Sequence, residues 1–357
     1  MEIKKILVVI DCNLNKIGIA DYLFDILDKE KISYQIFDNI KQEPTITEID
    51  EAIKDLRVPE NYDGVIGIGG GSTIDVAKLL AVSSQISGSI KNYVGINLID
   101  KPGIPMIMLP TTSGTGAEAT PNAIVKDEQE KVKKGVVSSF LIPNLVILDP
   151  ELTLSLPAKI TAETGIDAFT HAIECFICKK ANPMSNLFSL SAMKLIMGNL
   201  LPTVKNGQDK EARYNMMLAS FYGGVAIANS GTGGVHTLAY PLGGKYNMSH
   251  GLSNALLLVA VMEYNAEAVP EKFIEIARVI GLEDKHVSKE IIVESVLNKI
   301  KGIVNNVGIS NKEFHFSSIE IDDLAKSAMF QQCLLQNNPR PINFEDAKSI
   351  YQKVFIK

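Results

Sequence analysis

The sequence predicts an α/β domain over residues 1–152 and an all-helical domain over residues 153–357. The first observation is length, because 357 residues are enough for two domains of roughly 150 to 200 residues each. The second is that short β-branched runs alternate with amphipathic segments in the first part of the chain. The third is a change after DPELTLSLP (149–157), beyond which long helical patterns dominate. Strands alternating with helices favour a mostly parallel, doubly wound sheet.

The predicted strands of the first domain are short apolar runs that end at polar or glycine-rich turns. They are ILVVI (6–10), YQIFD (34–38), GVIGIG (64–69), IPMIML (104–109) and LVILD (145–149). Two segments between them have apolar residues three to four positions apart, which predicts helices packed on the sheet: GIADYLFDILDKEK (18–31) and ITEIDEAIKDL (46–56). The charged segment KDEQEKVKK (126–134) is interpreted as an exposed turn.

The second domain is predicted from long segments with helical spacing. PMSNLFSLSAMKLIMGNLL (183–201) and PEKFIEIARVIGL (270–282) are the clearest examples. Strand-like alternation of apolar and polar residues nearly disappears after residue 152. The second domain is therefore expected to be all helical.

Net charge and the length of the apolar runs argue against nucleic-acid and membrane partners. The net charge is -6, which provides no basic surface for a nucleic acid, so no nucleic-acid partner is expected. The apolar run ILVVI stops at Asp11 and is too short for a signal-peptide core. The run ALLLVAVM (255–262) is far shorter than the roughly 20 residues that span a bilayer. These features predict a cytoplasmic protein without a membrane partner.

The four cysteines do not form a disulfide framework for a chain of this size. Cys175 and Cys178 form a CxxC, but Cys12 and Cys333 lie alone in unrelated contexts. A structural zinc site normally requires a second pair. The CxxC is interpreted as packing residues on a helix.

A glycine-rich turn, GIGGGSTIDVAK (67–78), follows the predicted strand at 64–69 and opens a helix, with Ser72 or Thr73 as the expected N-cap. Backbone N–H groups at such a helix start can bind a phosphate, and glycines allow close approach of a pyrophosphate. The turn is not the usual dinucleotide fingerprint, because it follows the third strand and no acidic residue lies about 20 positions downstream. Tight packing alone is the alternative explanation.

A second polar loop, LPTTSGTGAEAT (109–120), follows the next strand and offers the hydroxyl groups of Thr111, Thr112 and Thr115. The carboxyl ends of neighbouring parallel strands lie at one edge of a sheet, which is where open α/β sheets bind ligands. Two such loops together favour a dinucleotide site.

The stretch GIDAFTHAIE (165–174) places Asp167 and His171 four positions apart, hence on one face of a predicted helix. An ion pair or capping contact inside a helical core would explain this spacing equally well. Two of the other four histidines, His236 and His250, lie in glycine-bearing segments of the same half. If all four met, one carboxylate and three imidazoles would suit Fe(II) or Zn(II). The remaining histidines, His286 and His315, lie in charged sequence and are expected at the surface.

Four motifs in this order resemble the iron-containing alcohol dehydrogenase family, often called group III. They are GGGSTIDVAK (69–78), LPTTSGTGAEAT (109–120), TGIDAFTHAIE (164–174) and VHTLAYPLGGKYNMSHG (235–251). The resemblance covers nearly the whole chain. It implies a Rossmann-like N-terminal domain joined to a helical domain, the architecture shared with dehydroquinate synthase.

The resemblance also implies roles for individual residues. The metal, Fe(II) or possibly Zn(II), would be held by Asp167, His171, His236 and His250. Gly70, Gly71 and Ser72 would contact the pyrophosphate of NAD, with Asp75 close by, and Thr111, Thr112, Thr115, Asn122 and Lys134 would line the cofactor site. Asp11 would lie beside the adenosine ribose, where a carboxylate favours NAD over NADP.

One position departs from the family pattern next to the proposed ligands. Many members have a histidine four residues after the third ligand, and this chain has Tyr240. Tyrosine is a poorer proton relay than histidine near pH 7, so Tyr240 is expected to orient a water molecule or shape the substrate site.

The expected function is hydride transfer between NAD(H) and a small primary alcohol or aldehyde, by a metal-containing enzyme that is expected to be a homodimer. One alternative is a lyase or cyclase similar to dehydroquinate synthase, which would require more basic residues than Lys245 around the metal motifs. A metal-dependent hydrolase that binds no nucleotide is the other alternative. It would leave the glycine and threonine loops unexplained.

Overall fold

The computed structural model describes residues 3–41, 43–58, 60–130, 132–282 and 286–356. Contacts divide the chain into two compact units. The first unit contains Met1–Thr112 and Ala117–Thr153, and the second contains Ser113–Gly116 and Leu154–Lys357. The assignment of a dinucleotide-binding domain to 1–152 and a metal-binding domain to 153–357 stays a prediction about function.

The first unit contains two sheets and four α-helices in its described part. The strands are β1 (Lys5–Ile10), β2 (Ser33–Phe37), β3 (Gly64–Gly69), β4 (Gly95–Ile96), β5 (Met106–Pro110), β6 (Asn122–Asp127), β7 (Val132–Val137) and β8 (Leu145–Val146). The helices are α1 (Cys12–Lys16), α2 (Asp21–Lys29), α3 (Ile46–Leu56) and α4 (Gly71–Ala81).

The larger sheet has the strand order β2-β1-β3-β5-β8, and each neighbouring pair is parallel. Successive side chains of β1 point to opposite faces, as strand geometry requires. Ile6, Val8 and Ile10 pack on the face covered by α2, and Leu7 and Val9 pack on the face that α3 and α4 cover. The predicted doubly wound parallel sheet is confirmed.

Local sequence explains where α3 begins. The Thr45 hydroxyl accepts the N–H of Glu48, and the Glu48 carboxylate accepts the N–H of Thr45. This reciprocal capping box satisfies two of the N–H groups that lack a partner at a helix start. The predicted helix at 46–56 is confirmed.

Two predictions about strands need correction. LVILD (145–149) forms only the two-residue strand β8, because this edge strand pairs with β5 over Leu145 and Val146 alone. The second sheet, ordered β4-β7-β6, was missed. Its antiparallel pair β6 and β7 includes both ends of the segment 126–134 that was interpreted as a turn. Charged residues fit this hairpin because one side of each strand is partly exposed.

The second unit contains only helices among its described secondary-structure elements. They are α5 (Ala158–Ile177), α6 (Pro183–Lys205), α7 (Lys210–Ser230), α8 (Gly234–Tyr246), α9 (His250–Ala266), α10 (Pro270–Val279), α11 (Lys289–Asn306), α12 (Ser318–Ala328), α13 (Gln332–Asn337) and α14 (Phe344–Phe355). The predicted helices at 183–201 and 270–282 correspond to α6 and α10.

Helix α5 lies at the centre of the second unit. Its residues from Gly165 to Ile177 are buried without interruption, and Ile166, Phe169 and Ile173 belong to the main apolar core. A helix that is apolar on all sides is suited to such a position. The polar side chains on this buried part of α5 are therefore largely shielded from water.

Helix α6 is the one described helix that is long and apolar enough, by length and composition, to cross a membrane. Core helices of other proteins meet the same criterion, and α6 packs against α5 and α7. Cys175 and Cys178 are free and buried on α5 and just beyond its end, as the packing interpretation of the CxxC predicts. Burial raises the pKa of both thiols.

Candidate metal centre

Helix α5 presents Asp167 and His171 on one face, one turn apart, as the spacing predicts. The side chains of both are almost fully buried. His171 Nε2 lies 3.9 Å from Asp167 Oδ1, and the opposite ring nitrogen, Nδ1, lies 3.2 Å from the carbonyl oxygen of Gly114. The carbonyl can only accept, so His171 carries its proton on Nδ1 and directs the lone pair of Nε2 toward Asp167.

His236 lies in the first turn of α8, beside α5. Its Nδ1 is 2.5 Å from Glu174 Oε2, and its Nε2 is 3.3 Å from the amide nitrogen of Asn254. The imidazole rings of His236 and His171 are stacked with centroids 4.6 Å apart.

His250 is the first residue of α9. The preceding residue, Ser249, caps α9 and donates from its hydroxyl to Glu163 of α5 at 2.6 Å. A Cβ at Gly251 would lie 2.5 Å from the backbone oxygen of Glu163, so glycine is required for α9 to start this close to α5. His250 Nε2 is thereby placed 3.7 Å from Asp167 Oδ1.

Asp167, His171, His236 and His250 each offer one ligand atom, and these four atoms all lie within 4.8 Å of one another. We call these four residues the ligand cluster. Two ligands bound to one ion at 2.1 Å and the tetrahedral angle lie about 3.4 Å apart, so small movements would complete coordination. The side chain of His250 is 30% exposed, whereas that of Asp167 is 3% exposed, so His250 is the more solvent-accessible of these two ligands.

The electrostatics of the ligand cluster favour an ionised Asp167 and an unprotonated His171. At His236, by contrast, burial would lower the pKa, but the Glu174 carboxylate outweighs burial and raises it. Burial would raise the pKa of Asp167, but the nearby imidazoles of His171, His250 and His236 outweigh burial and lower it. Burial lowers the pKa of His171, and the charge of Asp167 opposes this only in part. An ionised carboxylate and an unprotonated imidazole are the forms that bind a cation.

Asn254 supplies an independent test of whether the cluster fits a metal ion. Its Nδ2 lies 2.6 Å from Asp167 Oδ1 and 3.3 Å from His250 Nε2. Its Oδ1 is buried and has no hydrogen-bond partner among the described residues. A buried amide oxygen without a partner is costly. In this orientation the amide nitrogen faces the ligand atoms, and a half-turn of the amide would direct the oxygen to a cation bound there instead. The donor set fits a divalent cation, and the unpaired oxygen could join it after that rotation.

The glycine turn forms the start of α4, although its N-cap differs from the prediction. The N-cap is Gly70 rather than Ser72 or Thr73, because the helix already begins at Gly71. Gly70 has no side chain to accept the first N–H groups of α4, which leaves this end of the helix suited to an anion. A Cβ at Gly70 would lie 3.4 Å from Thr112 Cγ2, so the glycine and threonine loops are neighbours.

The threonine loop is divided between the units. The Thr111 N–H donates to the Gly69 carbonyl, which joins the ends of β5 and β3. Residues 113–116, including Thr115, are grouped with the second unit, where Gly116 packs against Gly224 and Ser220. Sequence reasoning treated 109–120 as one cofactor loop and missed the contact of Gly114 with His171.

Three other predicted cofactor residues have partners within the first unit. Asp75 is buried on α4, and its Oδ2 accepts the N–H of Ile124. The Asn122 carbonyl accepts from Lys78 Nζ. Lys134 Nζ forms ion pairs with Asp127 at 2.9 Å and with Glu130 at 2.7 Å. Their cofactor role stays a prediction.

Asp11 is the N-cap of α1, and its Oδ1 accepts the N–H groups of Asn13 and Leu14. Helix capping is thus one function of this side chain, and a contact with ribose stays a prediction. Tyr240 lies near the ligand cluster, with its ring centroid 6.0 Å from that of His250. His286 and His315 are exposed, as predicted.

Sequence reasoning missed Glu174 and Asn254. Glu174 follows His171 by three positions, so helical spacing already places it on the same face of α5. Asn254 follows His250 by four positions on α9. Extending the spacing argument one turn beyond each histidine would have found both residues.

Comparison with known proteins agrees with this geometry. Residues 1–150 match the family model described as "Iron-containing alcohol dehydrogenase", and residues 161–355 match "Fe-containing alcohol dehydrogenase family, C-terminal". The chain belongs to the iron-containing alcohol dehydrogenase family. The predicted family and its two-part fold are confirmed.

Similar members of this family are known alcohol dehydrogenases. Long-chain-alcohol dehydrogenase 1 of Geobacillus thermodenitrificans is 37% identical, over 99% of this chain and 90% of that protein. The NAD-dependent methanol dehydrogenase of Bacillus methanolicus is 35% identical, over 97% of this chain and 91% of that protein. The solved structure of an alcohol dehydrogenase from Oenococcus oeni has a TM-score of 0.94 at 34% identity, covering 99% of this chain and 93% of that one.

Proposed function

We propose that this member of the iron-containing alcohol dehydrogenase family transfers hydride between NAD(H) and a small primary alcohol or aldehyde at an Fe(II) ion. The observation that carries the proposal is the convergence of four ligand atoms to within 4.8 Å. Zn(II) suits the same donor set and is the second candidate metal.

A divalent ion held by the ligand cluster would act as a Lewis acid on the oxygen of an alcohol or aldehyde, and the nicotinamide of bound NAD would exchange the hydride with the adjacent carbon. The residues of the chain prepare this reaction. Asp167 provides the one negative charge of the ligand cluster, and the Gly114 carbonyl fixes the His171 ring through Nδ1. Burial excludes water from three of the four ligands, which strengthens electrostatic interactions at the reacting oxygen.

The cofactor proposal rests on the first unit. The start of α4 at Gly70 and Gly71, with Ser72 in its first turn, fits a pyrophosphate, and Thr111 and Thr112 lie beside it. Support for NAD also comes from the NAD-dependent methanol dehydrogenase to which the chain is similar.

Preference for NAD over NADP is tested at Asp11. Asp11→Asn keeps an oxygen that can accept the N–H groups of Asn13 and Leu14, but it removes the charge that would repel a 2'-phosphate. We expect the ratio of kcat/KM for NADH over NADPH to fall by at least about tenfold, roughly 1.4 kcal/mol. An unchanged ratio would restrict Asp11 to helix capping.

The reaction is tested by following NADH oxidation with a panel of short, branched, hydroxylated and anionic aldehydes. Turnover with at least one primary aldehyde is expected, and the pattern of rates identifies the substrate class. The hydrolase alternative predicts no change in NADH fluorescence on mixing with the protein, which a titration measures directly.

The metal is tested by chelation and metal analysis. About one divalent ion per chain is expected, because the described residues contain one such ligand cluster. Exhaustive chelation should abolish turnover, Fe(II) should restore it, and Zn(II) should bind with less activity. Full turnover by protein shown to contain no metal would contradict the proposal.

The proposal also includes a cytoplasmic location and a homodimer. The four cysteines are free, a state that the reducing cytosol maintains. Size-exclusion chromatography with light scattering measures the oligomeric state.

A further inference from the structure

Glu174 is a buried carboxylate next to the ligand cluster, and both of its oxygens are used. Its side chain is 1% exposed. Oε1 accepts the N–H of Val235 at 2.6 Å, and Oε2 lies 2.5 Å from Nδ1 of His236. Glu174 is thus in contact with one ligand of the cluster and with the backbone of the helix that carries this ligand.

The contact determines which nitrogen of His236 can bind a cation. A carboxylate in its ionised form has no proton to donate, so the His236 ring must carry a proton on Nδ1. In the neutral ring the lone pair then lies on Nε2, the atom that lies 3.3 Å from Asn254 Nδ2 inside the cluster. With the opposite tautomer, the lone pair would point away from the cluster.

The start of α8 makes the burial of this carboxylate feasible. The N-cap of α8 is Gly233, which has no side chain to accept the first N–H groups of the helix. Glu174 accepts one of them, from Val235, and Asn338 Oδ1 accepts another, from Gly234. A negative charge at a helix N-terminus is stabilised by the helix dipole, which offsets part of the cost of burying Glu174.

The carboxylate of Glu174 differs from the partner of the other buried ring. His171 Nδ1 contacts a neutral carbonyl, that of Gly114, at 3.2 Å, whereas His236 Nδ1 contacts a carboxylate at 2.5 Å. Hydrogen bonds to charged acceptors are shorter and stronger than those to neutral ones. His236 is therefore the more firmly oriented of the two rings.

We propose that Glu174 is a positioning residue for the metal ion: it holds His236 as the Nδ1–H tautomer, with Nε2 directed into the ligand cluster, and thereby slows release of the ion. Helix α5 then contributes two ligands, Asp167 and His171, together with the group that orients a third. This inference rests on the proposed function, because it presupposes that the ligand cluster binds a divalent ion.

The test compares the wild type with Glu174→Gln in the full chain loaded with Zn(II) or Co(II). Glutamine has the same shape and can accept the Val235 N–H, but it lacks the charge, and its NH2 group can donate a hydrogen bond to Nδ1 of His236. Loss of such an outer contact typically lowers metal affinity by about 10- to 100-fold. We expect ion release to a chelator to accelerate by that factor, the visible absorption of Co(II) to change, and NADH affinity to stay within about twofold.

Glu118→Gln is the matched control. Glu118 is also 1% exposed, but it lies in the first unit and its Oε1 has no hydrogen-bond partner among the described residues. The same substitution at equal burial should leave ion release and the Co(II) spectrum unchanged. Faster release from both variants would overturn the inference, because loss of any buried carboxylate would then suffice.

A second measurement needs no variant. The chain has five histidines, which makes ring-nitrogen NMR of histidine-labelled, Zn(II)-loaded protein practical. One Nδ1–H proton should be strongly deshielded by its carboxylate partner and slow to exchange with water. If no histidine ring shows such a proton, the contact between Glu174 and His236 does not form and the inference is overturned.

The outcomes separate the two proposals. A wild type that binds the ion, with Glu174→Gln releasing it at the same rate and with the same Co(II) spectrum, overturns the inference and leaves the proposed function intact. A wild type that binds no divalent ion overturns the proposed function, and the role of Glu174 with it. Faster release and an altered spectrum for Glu174→Gln alone support both.

Discussion

The two units each bury a group of charged or ionisable side chains, but these groups are organised differently. The first unit contains Asp75, Lys78 and Glu118, which we call the charged triad, and each is at most 7% exposed. The second unit contains the ligand cluster. Burial alone does not distinguish the two groups, although only one of them is suited to bind a ligand.

Two members of the charged triad, Lys78 and Asp75, form hydrogen bonds with neighbouring backbone, whereas Glu118 Oε1 has no hydrogen-bond partner among the described residues. Lys78 Nζ donates to the carbonyls of Thr120 and Asn122 and to the Thr120 hydroxyl, which uses all three ammonium protons. Asp75 accepts the Ile124 N–H. The triad therefore fastens α4 to the start of β6, and its lysine has no donor left for a ligand.

In the ligand cluster, by contrast, the four ligand atoms converge to within 4.8 Å of one another, so their lone pairs can bind one ion. The outer nitrogens of His171 and His236 are held by Gly114 and Glu174, and their inner nitrogens face Asp167 and Asn254. Lone pairs that converge on one point therefore indicate a reactive site, whereas a buried charge with partners close by in the fold indicates a structural role.

Removing one ligand should have the largest effect. We expect His250→Ala to lower turnover at least about a thousandfold, roughly 4 kcal/mol, because a cluster with three ligands loses the ion and its Lewis acidity. NADH affinity and the free energy of unfolding of the metal-free protein should change little. The measurements are steady-state kinetics, metal content and NADH fluorescence. His315→Ala, at an exposed histidine, is the control. Retained turnover would contradict the assignment of His250 as a ligand.

Removing the cation of the charged triad should lower the stability of the protein but leave its metal content unchanged, the reverse of the effect expected for His250→Ala. Lys78→Met leaves two buried carboxyls and two backbone carbonyls without their partner, which typically costs about 3–5 kcal/mol of unfolding free energy. Urea denaturation measures this loss. The amount of metal bound per folded chain should stay at the wild-type level. If Lys78→Met also lost the metal, the charged triad would not be purely structural and would not differ from the ligand cluster in this way. The control is Lys353→Met at an exposed ion pair with Glu263, which should cost less than about 1 kcal/mol.

The pH dependence of the free energy of unfolding tests the structural role of Glu118 in the charged triad. Burial raises the pKa of Glu118 from 4.5 to about 7, although the charge of Lys78 opposes the shift. A carboxyl with a raised pKa in the folded state contributes stability below its unfolded pKa and loses this contribution as pH rises through the folded pKa. Between about pH 4.5 and 7.5 the wild type should lose up to roughly 3 kcal/mol relative to Glu118→Gln. Urea unfolding at several pH values measures the difference, and parallel curves would contradict it.

The smallest effect is expected at the margin of the ligand cluster. Tyr240→Phe removes the hydroxyl from a ring whose centroid lies 6.0 Å from that of the His250 ring. If Tyr240 orients water or shapes the substrate site, kcat/KM should fall by less than about tenfold, under roughly 1.4 kcal/mol, with the same pH profile. A loss of a hundredfold or more at neutral pH, partly rescued at high pH, would instead assign Tyr240 to proton transfer.

Several elements were predictable because their information is local. The capping box at Thr45 and Glu48 and the spacing of apolar residues located α3. Helical spacing likewise placed Asp167 and His171 on one face of α5. The hairpin of β6 and β7 was not found, because its charged residues resemble a turn and its partly exposed strands lack a continuous apolar run.

The alternating strands and helices of the first unit, the helices of the second and one pair of candidate ligands follow from local patterns in the sequence. The meeting of His236 and His250, on α8 and α9, with Asp167 depends on the tertiary fold, because helix packing brings together residues far apart in the chain. The tertiary fold also determines that Asp75 fastens β6 to α4, while Glu174 orients a histidine 62 positions away. Carboxylates have the same chemistry wherever they occur, and the hydrogen-bond donors that the fold brings to them determine what each one does.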